Sequence, residues 1–444
     1  VADSSNSQFG LLRQKTFSPL FWAQFGGAFN DNFYKSALLM LFTYGEVERW
    51  GLDINTLNNL VAGMLIIPFL LFAPSAGRLA DAMDKATFIR RLKMVEIAVM
   101  ALGALALWAN HSGLLLLVIF LTGTQSACFS PLKYAILPQQ LPSKDLTGAN
   151  GLMHTGTSLA IFLGLIAGSV LLPLSGGRVW IAIGALLVAW MGWRASCAIP
   201  PAPPIDNEPL PRINPVMQIA RVMGYARENP QVFWCIIGAS WYWFLGSVYL
   251  TQLPNFTRTV IHGAPLVVSF LLLVFLLGIC IGALLCHRLS RGLVEPAIVP
   301  LGALLVLLAG FDLALTGRAF AEVQATGTEL TLSALLPVFG FWRLLLDVLV
   351  LGCAGGLYLV PLNALMQAGA RSSRRGQVIA ANNVMNAIFM IAAAVFGALV
   401  LGRLQVSIPS FFLLTTLLHV LVITVVFLAE PVFMQRFKRR FWVF

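Results

Sequence analysis

The most polar stretch within an otherwise apolar run is Phe29-Asn30-Asp31-Asn32-Phe33-Tyr34-Lys35. An acid inside a hydrocarbon-spanning segment is costly and by default marks a functional site. Lys35 follows Asp31 by four residues, so the two can pair on one helix face. Asn30 and Asn32 add amide donors and acceptors. Such a group must face a bundle interior or a water-filled cavity, where it binds a polar cargo, carries a proton or works as a gate. The plainer alternative is an internal structural salt bridge. Other polar residues within apolar runs are Glu96, Gln125, Lys133, His154, Asn150, Gln252 and Asn255, and later Asn363, Asn382, Asn383 and Asn386. Arg343 and Asp347 repeat the i, i+4 spacing, and Asn382 and Asn386 share a helix face. Some of these hold helices together without touching a cargo. Glu96 is expected to pair only with basic residues of a nearby loop. Trp241-Tyr242-Trp243-Phe244 would line an apolar cavity for a hydrocarbon chain, or simply pack.

A second motif, Gly77-Arg78-Leu79-Ala80-Asp81, is followed by basic residues that include Arg90 and Arg91. Gly77 permits close helix approach, and Asp81 can pair with a loop arginine or with a neighbouring helix N-terminus, forming a latch. The matching place in the second half, Gly282-Ala283-Leu284-Leu285-Cys286-His287-Arg288, lacks the acid. Enzyme chemistry is not expected. None of His111, His154, His262, His287 and His419 is followed five residues later by Asp, as an H-x4-D acyltransferase requires. The six cysteines show no CxxC spacing, so neither a metal site, a cofactor nor a disulfide framework is expected.

The elements that must carry these residues are membrane helices. Hydrophobic residues make up 58% of the 444 and charged residues 11%, where a soluble domain carries about 25% charged residues. Apolar runs of about 20 residues recur along the chain. They predict helices over 18–44, 55–76, 92–109, 112–130, 147–172, 177–198, 231–256, 264–286, 296–316, 335–360, 376–402 and 408–430. The polar opening Val1 to Gly10 and the long first apolar run predict no cleavable signal peptide. The net charge of +11 sets topology and does not indicate nucleic acid. Loop 77–93 (Arg78, Lys85, Arg90, Arg91, Lys93), loop 369–376 (Arg371, Arg374, Arg375), the tail (Arg436, Lys438, Arg439, Arg440) and Arg13 with Lys15 fall on one side. Loop 45–54, with Glu46, Glu48 and Asp53 against Arg49, falls on the other. The positive-inside rule then places both termini in the cytoplasm.

The Pro-rich stretch 199–230 divides the helices six and six, with a short amphipathic helix expected around 212–228. The resulting domains are 1–198, the linker 199–230, 231–430 and a basic tail 431–444. Pro131-Leu132 and Asn150 in the first half are matched by Pro361-Leu362 and Asn382 in the second, 19 and 21 positions apart. The fold class is therefore an all-α membrane protein of twelve transmembrane helices in two pseudo-symmetric six-helix bundles, the architecture of the major facilitator superfamily.

Ala23-Gln24-Phe25, Phe29-Asn30-Asp31-Asn32, Ser130-Pro131-Leu132-Lys133-Tyr134, Gly148-Ala149-Asn150-Gly151-Leu152 and Val360-Pro361-Leu362-Asn363-Ala364-Leu365 together resemble the bacterial lysophospholipid transporter family of that superfamily. The resemblance spans nearly the whole chain. It implies a flippase-like carrier that moves lysophosphatidylethanolamine and related lysolipids from the outer to the inner leaflet of the Gram-negative inner membrane. It also implies a cytoplasmic partner, the acyltransferase/acyl-carrier-protein synthetase that restores the second chain and is fused to some members. A monomer without cofactors, surrounded by membrane lipids and binding no nucleic acid, is expected. The family pattern is broken at Asn30 and Lys35, where some members have small or apolar residues, and at Leu250-Thr251-Gln252, where some carry an arginine. A basic headgroup partner must then come from Lys35, Lys133 or Arg343. The expected binding or gating set is Asn30, Asp31, Asn32, Lys35, Lys133, Asn150, Arg343, Asp347, Asn363, Asn382 and Asn386, with a gate of Gly77, Asp81, Arg90 and Arg91. The rival readings are an exporter of amphipathic drugs or importer of a small solute, a membrane acyltransferase, and a non-transporting receptor.

Overall fold

The computed structural model describes residues 8–44, 54–204, 215–323 and 330–441. Among them, 11 helices are long and apolar enough to cross a membrane. Ser18–Tyr44 falls outside that set because Asn30, Asp31, Asn32 and Lys35 dilute its hydropathy. Its 27 residues nevertheless suffice for a crossing, and it packs along two of the other helices. We number the twelve α1 (Ser18–Tyr44), α2 (Ile54–Ala82), α3 (Lys85–Ala109), α4 (Ser112–Ala135), α5 (Leu146–Leu171), α6 (Gly177–Cys197), α7 (Pro230–Thr259), α8 (Pro265–Leu289), α9 (Ile298–Val323), α10 (Phe339–Gly369), α11 (Arg375–Gly397) and α12 (Ile408–Ala429).

The chain forms two compact units, Val1–Asn229 with Gln367–Val384, and Pro230–Met366 with Met385–Phe444. In the first, α1 lies between α5 and α6, α2 packs on α4, and α3 packs on both α4 and α6. Its apolar core gathers Phe33, Tyr34 and Leu38 of α1 with Met100 of α3, Ile119 of α4 and Ile181 of α6. In the second unit, α9 packs on α12 and α7 on both α8 and α12. There α8 crosses α10 so closely that a Cβ at Gly282 would collide with the Cys353 carbonyl. Pro131 and Pro361 lie within α4 and α10, so the repeated Pro-Leu pair occupies matching helices.

The helix ends correct the expected loop 77–93. Helix α2 runs to Ala82 and α3 begins at Lys85, leaving only Met83 and Asp84 between them. The cause is a cap. Asp84 Oδ1 accepts from the Thr87 backbone N–H at 2.7 Å, and Oδ2 accepts from that of Ala202 at 2.8 Å. Lys85, Arg90, Arg91 and Lys93 are therefore helical. Burial opposes ionisation of Asp84, but these backbone hydrogen bonds and the nearby Arg90 hold its carboxyl below the usual range. A depressed carboxyl contributes stability above its unfolded value and loses it as pH falls through the folded one. Asp84→Ala should cost about 1 kcal/mol at neutral pH, with the gap to wild type closing on acidification. Thermal unfolding in detergent measures it; a gap that stays constant with pH counts against this role.

Pro215–Arg227 is a surface helix packed on α2, with Gln218, Val222 and Ala226 as its buried face. The linker residues Pro209, Pro211 and Arg212, the acidic loop with Glu46, Glu48, Arg49 and Asp53, and residues 1–7 lie outside the described residues. The basic tail forms a further helix, Val432–Phe441, anchored by buried Phe433 and by an Arg440–Glu295 ion pair at 3.4 Å.

Candidate functional site

Helix α1 presents its polar residues to three different neighbours. Asn30 is fully buried, and its amide donates to the Ala185 carbonyl of α6 at 3.1 Å and to Glu96 of α3 at 3.5 Å. Asp31 Oδ2 accepts from the Ser126 hydroxyl of α4, while Oδ1 has no hydrogen-bond partner among the described residues. Asn32 donates back to the Ala28 carbonyl one turn earlier, at 2.9 Å. The expected Asp31–Lys35 pair is not formed: among the described residues no ion pair joins them. The i, i+4 spacing permits that bond, but Asp31 turns to Ser126 across the helix boundary. Lys35 is left half-buried.

Behind Asp31 lies a buried network that local sequence hid. Lys93 and Glu96 are 1% and 3% exposed and pair at 2.7 Å. Gln125 donates to the same Glu96 oxygen at 3.1 Å, and the Ser126 hydroxyl lies 3.4 Å from the Gln125 side-chain oxygen, Oε1. The chain of contacts therefore runs Lys93, Glu96, Gln125, Ser126, Asp31. Lys93 also sits 5.0 Å from the centre of the Phe129 ring. Glu96 does pair with a base, as expected, but that base is helical and buried and does not lie in a loop.

Asp31, Asn32, Lys93, Gln125, Ser126 and Lys133 line one cavity of about 150 Å³ in the first unit, together with the apolar Phe69, Phe129 and Ile161. Lys93 is neutralised by Glu96. Lys133 lies 5.0 Å from the Tyr134 ring centre and has no hydrogen bond or ion pair among the described residues. The cavity thus offers one acid and one base with no hydrogen bond or ion pair joining them among the described residues.

The glycine–aspartate motif makes a second cluster in the same unit. Asp81, buried to 1% exposure, accepts from the backbone N–H groups of Gly376 at 2.8 Å and Gln377 at 3.1 Å. It therefore caps the N-terminus of α11, one of the two partners the motif allowed. Gly77 makes the approach possible, since a Cβ there would lie 2.6 Å from the Gly376 carbonyl oxygen. No ion pair joins Arg90 or Arg91 to Asp81 among the described residues; Arg90 sits by Asp84 and Arg91 is exposed. Asn150 and Gln367 exchange amide hydrogen bonds at 2.7 and 3.0 Å. Asn383 donates to the Ser130 hydroxyl at 2.9 Å. Glu228 pairs with Arg374 at 2.6 Å and Arg371 at 3.3 Å.

The remaining residues separate. Arg343 pairs with Asp312 of α9, correcting the expected Arg343–Asp347 pair, because the α9 carboxylate meets the guanidinium side-on with both oxygens. Asn363 is half-buried. Asn382 is buried with its Oδ1 unpartnered among the described residues, and Asn386 accepts from the Ser240 hydroxyl at 2.9 Å. Trp241, Tyr242 and Phe244 are buried packing residues: Trp241 stacks on Phe244 at 4.7 Å and donates to His419 at 2.9 Å. Sequence reasoning missed Lys93, Ser126, Asp312 and Gln367. A lone acid at Asp312 and the i, i+3 spacing of Lys93 and Glu96 were visible signals; Ser126 and Gln367 gave none.

Residues 20–394 match the family model for the Major Facilitator Superfamily. The chain is 29% identical over 395 residues to the "Lysophospholipid transporter LplT" of Klebsiella pneumoniae (strain 342), covering 86% of this chain and 87% of that protein. It is 26% identical over 372 residues to the protein of the same name from Enterobacter sp. (strain 638), covering 82% and 83%. The crystal structure of the human organic anion transporter MFSD10 (TETRAN) superposes with a TM-score of 0.72 at 16% identity, covering 94% of this chain and 99% of that one. At that identity the likeness concerns the fold alone.

Proposed function

This chain belongs to the Major Facilitator Superfamily, and we propose that the cargo it carries is lysophospholipid. Membership makes it a membrane transporter and not an enzyme. The observation that carries the proposal is the pair Asp31 and Lys133, which line one cavity with no ion pair joining them among the described residues. A phosphoethanolamine headgroup brings the two missing charges: its ammonium meets Asp31 and its phosphate meets Lys133. Both groups lie on membrane helices, where an uncompensated charge is costly, so a headgroup that carries both opposite charges offsets that cost. A cavity of about 150 Å³ is smaller than those that enclose drug-sized ligands. It therefore holds the headgroup, and the acyl chain stays beside Phe69, Phe129 and Ile161 or in the bilayer.

Two further observations support the reading. The relatives named lysophospholipid transporters match over most of their length. The Asp81 cap on α11, with the Asn150–Gln367 amide pair beside it, has the form of a gate that must open once per cycle. In this proposal the gate lies on the cytoplasmic side, with both termini in the cytoplasm of a bacterium. The carrier moves lysophosphatidylethanolamine from the outer to the inner leaflet of the inner membrane by alternating access. A cytoplasmic acyltransferase/acyl-carrier-protein synthetase re-acylates the product.

The test is leaflet exchange of labelled lysophosphatidylethanolamine by the purified protein in liposomes. One-chain lipids with phosphoethanolamine or phosphoglycerol headgroups should compete. Diacyl phosphatidylethanolamine should compete weakly, because each buried CH₂ contributes about 0.8 kcal/mol only where it is enclosed. Equal competition by one- and two-chain lipids removes the selectivity claim. No lipid movement, with transport of a soluble amphipathic cation instead, makes the protein a drug exporter.

A further inference from the structure

The second unit carries a short helix that the proposed cargo site does not use. Val432–Phe441 follows α12 after Glu430 and Pro431. Phe433, Phe437 and Phe441 recur every four residues and share one face of it, while Arg436, Lys438 and Arg439 fall on the other. The protein uses only the start of the apolar face. The helix packs on α9 and α12, and Phe433 is buried there with its ring 5.9 Å from that of Phe427. Phe441, two turns further on, is 44% exposed.

Both ends of this helix are tied to membrane helices. Phe427, which meets Phe433, lies in the last turn of α12. At the far end Arg440 donates to the carbonyl of Leu289, the last residue of α8, and pairs with Glu295 at 3.4 Å. Glu295 in turn accepts from the Ala297 N–H at 3.2 Å, just ahead of α9. Helices α8 and α12 are separated by an even number of crossings, so both end on the same side of the membrane. A helix of ten residues, about 15 Å long, that touches both ends therefore runs along that side and not away from it.

Every exposed charge on the tail helix and the α8–α9 turn is positive. Arg288, Arg291, Arg436, Lys438 and Arg439 are exposed, and none forms an ion pair among the described residues. The two acids nearby are already placed: Glu295 is 13% exposed and held by Arg440, and Glu430 is buried. We propose that the tail helix and this turn form a docking surface for the anionic phospholipid headgroups of the leaflet in which α8 and α12 end. The five unpaired cations meet the lipid phosphates, whose negative surface potential attracts basic groups close to the membrane. Phe441 enters the boundary between headgroups and acyl chains, as the apolar face of an interfacial helix does. Continuity with the bilayer favours lipid over a soluble acidic protein. Leu417, Leu421, Val425 and Leu428 are exposed along α12 at intervals of three and four, so its bilayer face runs up to the foot of the tail helix. Because Arg440 clasps both the end of α8 and the acid ahead of α9, a leaflet that holds the tail also holds this turn.

The full-length protein in lipid nanodiscs tests this without any cargo. In a background lacking the native cysteines, Gln435→Cys on the exposed polar face carries an environment-sensitive fluorophore. Raising the share of phosphatidylglycerol in phosphatidylcholine discs should shift the emission to the blue, and added salt should reverse the shift. Arg436→Gln, Lys438→Gln and Arg439→Gln together should raise the phosphatidylglycerol share needed for half the shift at least about threefold. Arg288→Gln with Arg291→Gln, on a different element, should raise it in smaller measure. The same emission in both lipids overturns the proposal, as does an unchanged titration in the triple variant. So does a shift produced by soluble polyglutamate but not by phosphatidylglycerol, which assigns the face to an acidic protein. None of these readouts bears on lysophospholipid as cargo.

Discussion

Asp31→Asn should lower the rate of lysophosphatidylethanolamine exchange by at least about tenfold while leaving the protein folded. The amide keeps the shape and can still accept from the Ser126 hydroxyl, so α1 and α4 stay tied. What it removes is the negative charge. Among the charged side chains of the cavity, Lys93 is held by Glu96, whereas Lys133 has no ion pair among the described residues. Without Asp31 the site keeps the group that meets a phosphate and loses the group that meets an ammonium. Leaving one member of a buried pair uncompensated costs about 3–5 kcal/mol, and tenfold in rate needs only about 1.4 kcal/mol. Lys133→Met should be similarly impaired. The double variant should be less impaired than the product of the two, because both changes remove one shared interaction with the headgroup. The contrast between headgroups is a further readout. Lysophosphatidylglycerol has no ammonium, so Asp31→Asn should affect its exchange less than that of lysophosphatidylethanolamine. Near-normal exchange of both lipids at normal expression would falsify the assignment of Asp31 to the headgroup.

Much of this was legible in the chain, and what was not has a physical reason. Apolar runs located the membrane helices because a span must bury about 20 residues in hydrocarbon whatever it packs against. The ends were less legible where a helix outruns its apolar stretch. Asp84 starts α3 two turns before Lys93, and a charge count cannot tell a loop lysine from a helical one. Lys93 was hidden for the same reason: its ammonium is cancelled by Glu96 within the protein, so it need not be at the surface. The pairs Asp31–Lys35 and Arg343–Asp347 failed alike. Spacing of i, i+4 makes a bond available at a few tenths of a kcal/mol. A partner on another helix, held in place by the packing of that helix, outweighs it; Ser126 and Asp312 are those partners. The Asp81 motif was the reverse case. Its acid could take only a few kinds of partner, one of them a helix N-terminus, and that is where it lies. Gln367 gave no signal, because an amide in an apolar run says that a partner exists without saying that it is Asn150.

Gly77→Val should open the proposed gate without touching the proposed cargo cavity. In the structure α2 and the start of α11 meet backbone to backbone, and a Cβ at position 77 would lie 2.6 Å from both the Gly376 oxygen and the Ala380 Cβ. Real Cβ atoms do not approach that closely, and the obstacle at Gly376 is main chain, which has no rotamer to change. The segment must therefore move away. As it moves, Asp81 loses its bonds from the Gly376 and Gln377 N–H groups, now 2.8 and 3.1 Å long. Hydrogen bonds to a charged group are worth about 1.5–3 kcal/mol each, so losing both should shift the closed–open balance by more than tenfold. Ala149, fully buried beside the Asn150–Gln367 pair, reports the change. In a background lacking the native cysteines, Ala149→Cys should react with a membrane-impermeant maleimide from the cytoplasmic face at least about tenfold faster when Gly77→Val is added. Asp81→Ala should give the same direction of change, because it removes the cap itself. Lysophosphatidylethanolamine affinity should be retained in both, since Asp31 and Lys133 are undisturbed, while turnover falls because the closed state is rarely reached. Labelling as slow as in the parent, together with normal turnover, would show that the α2–α11 contact is packing and nothing more.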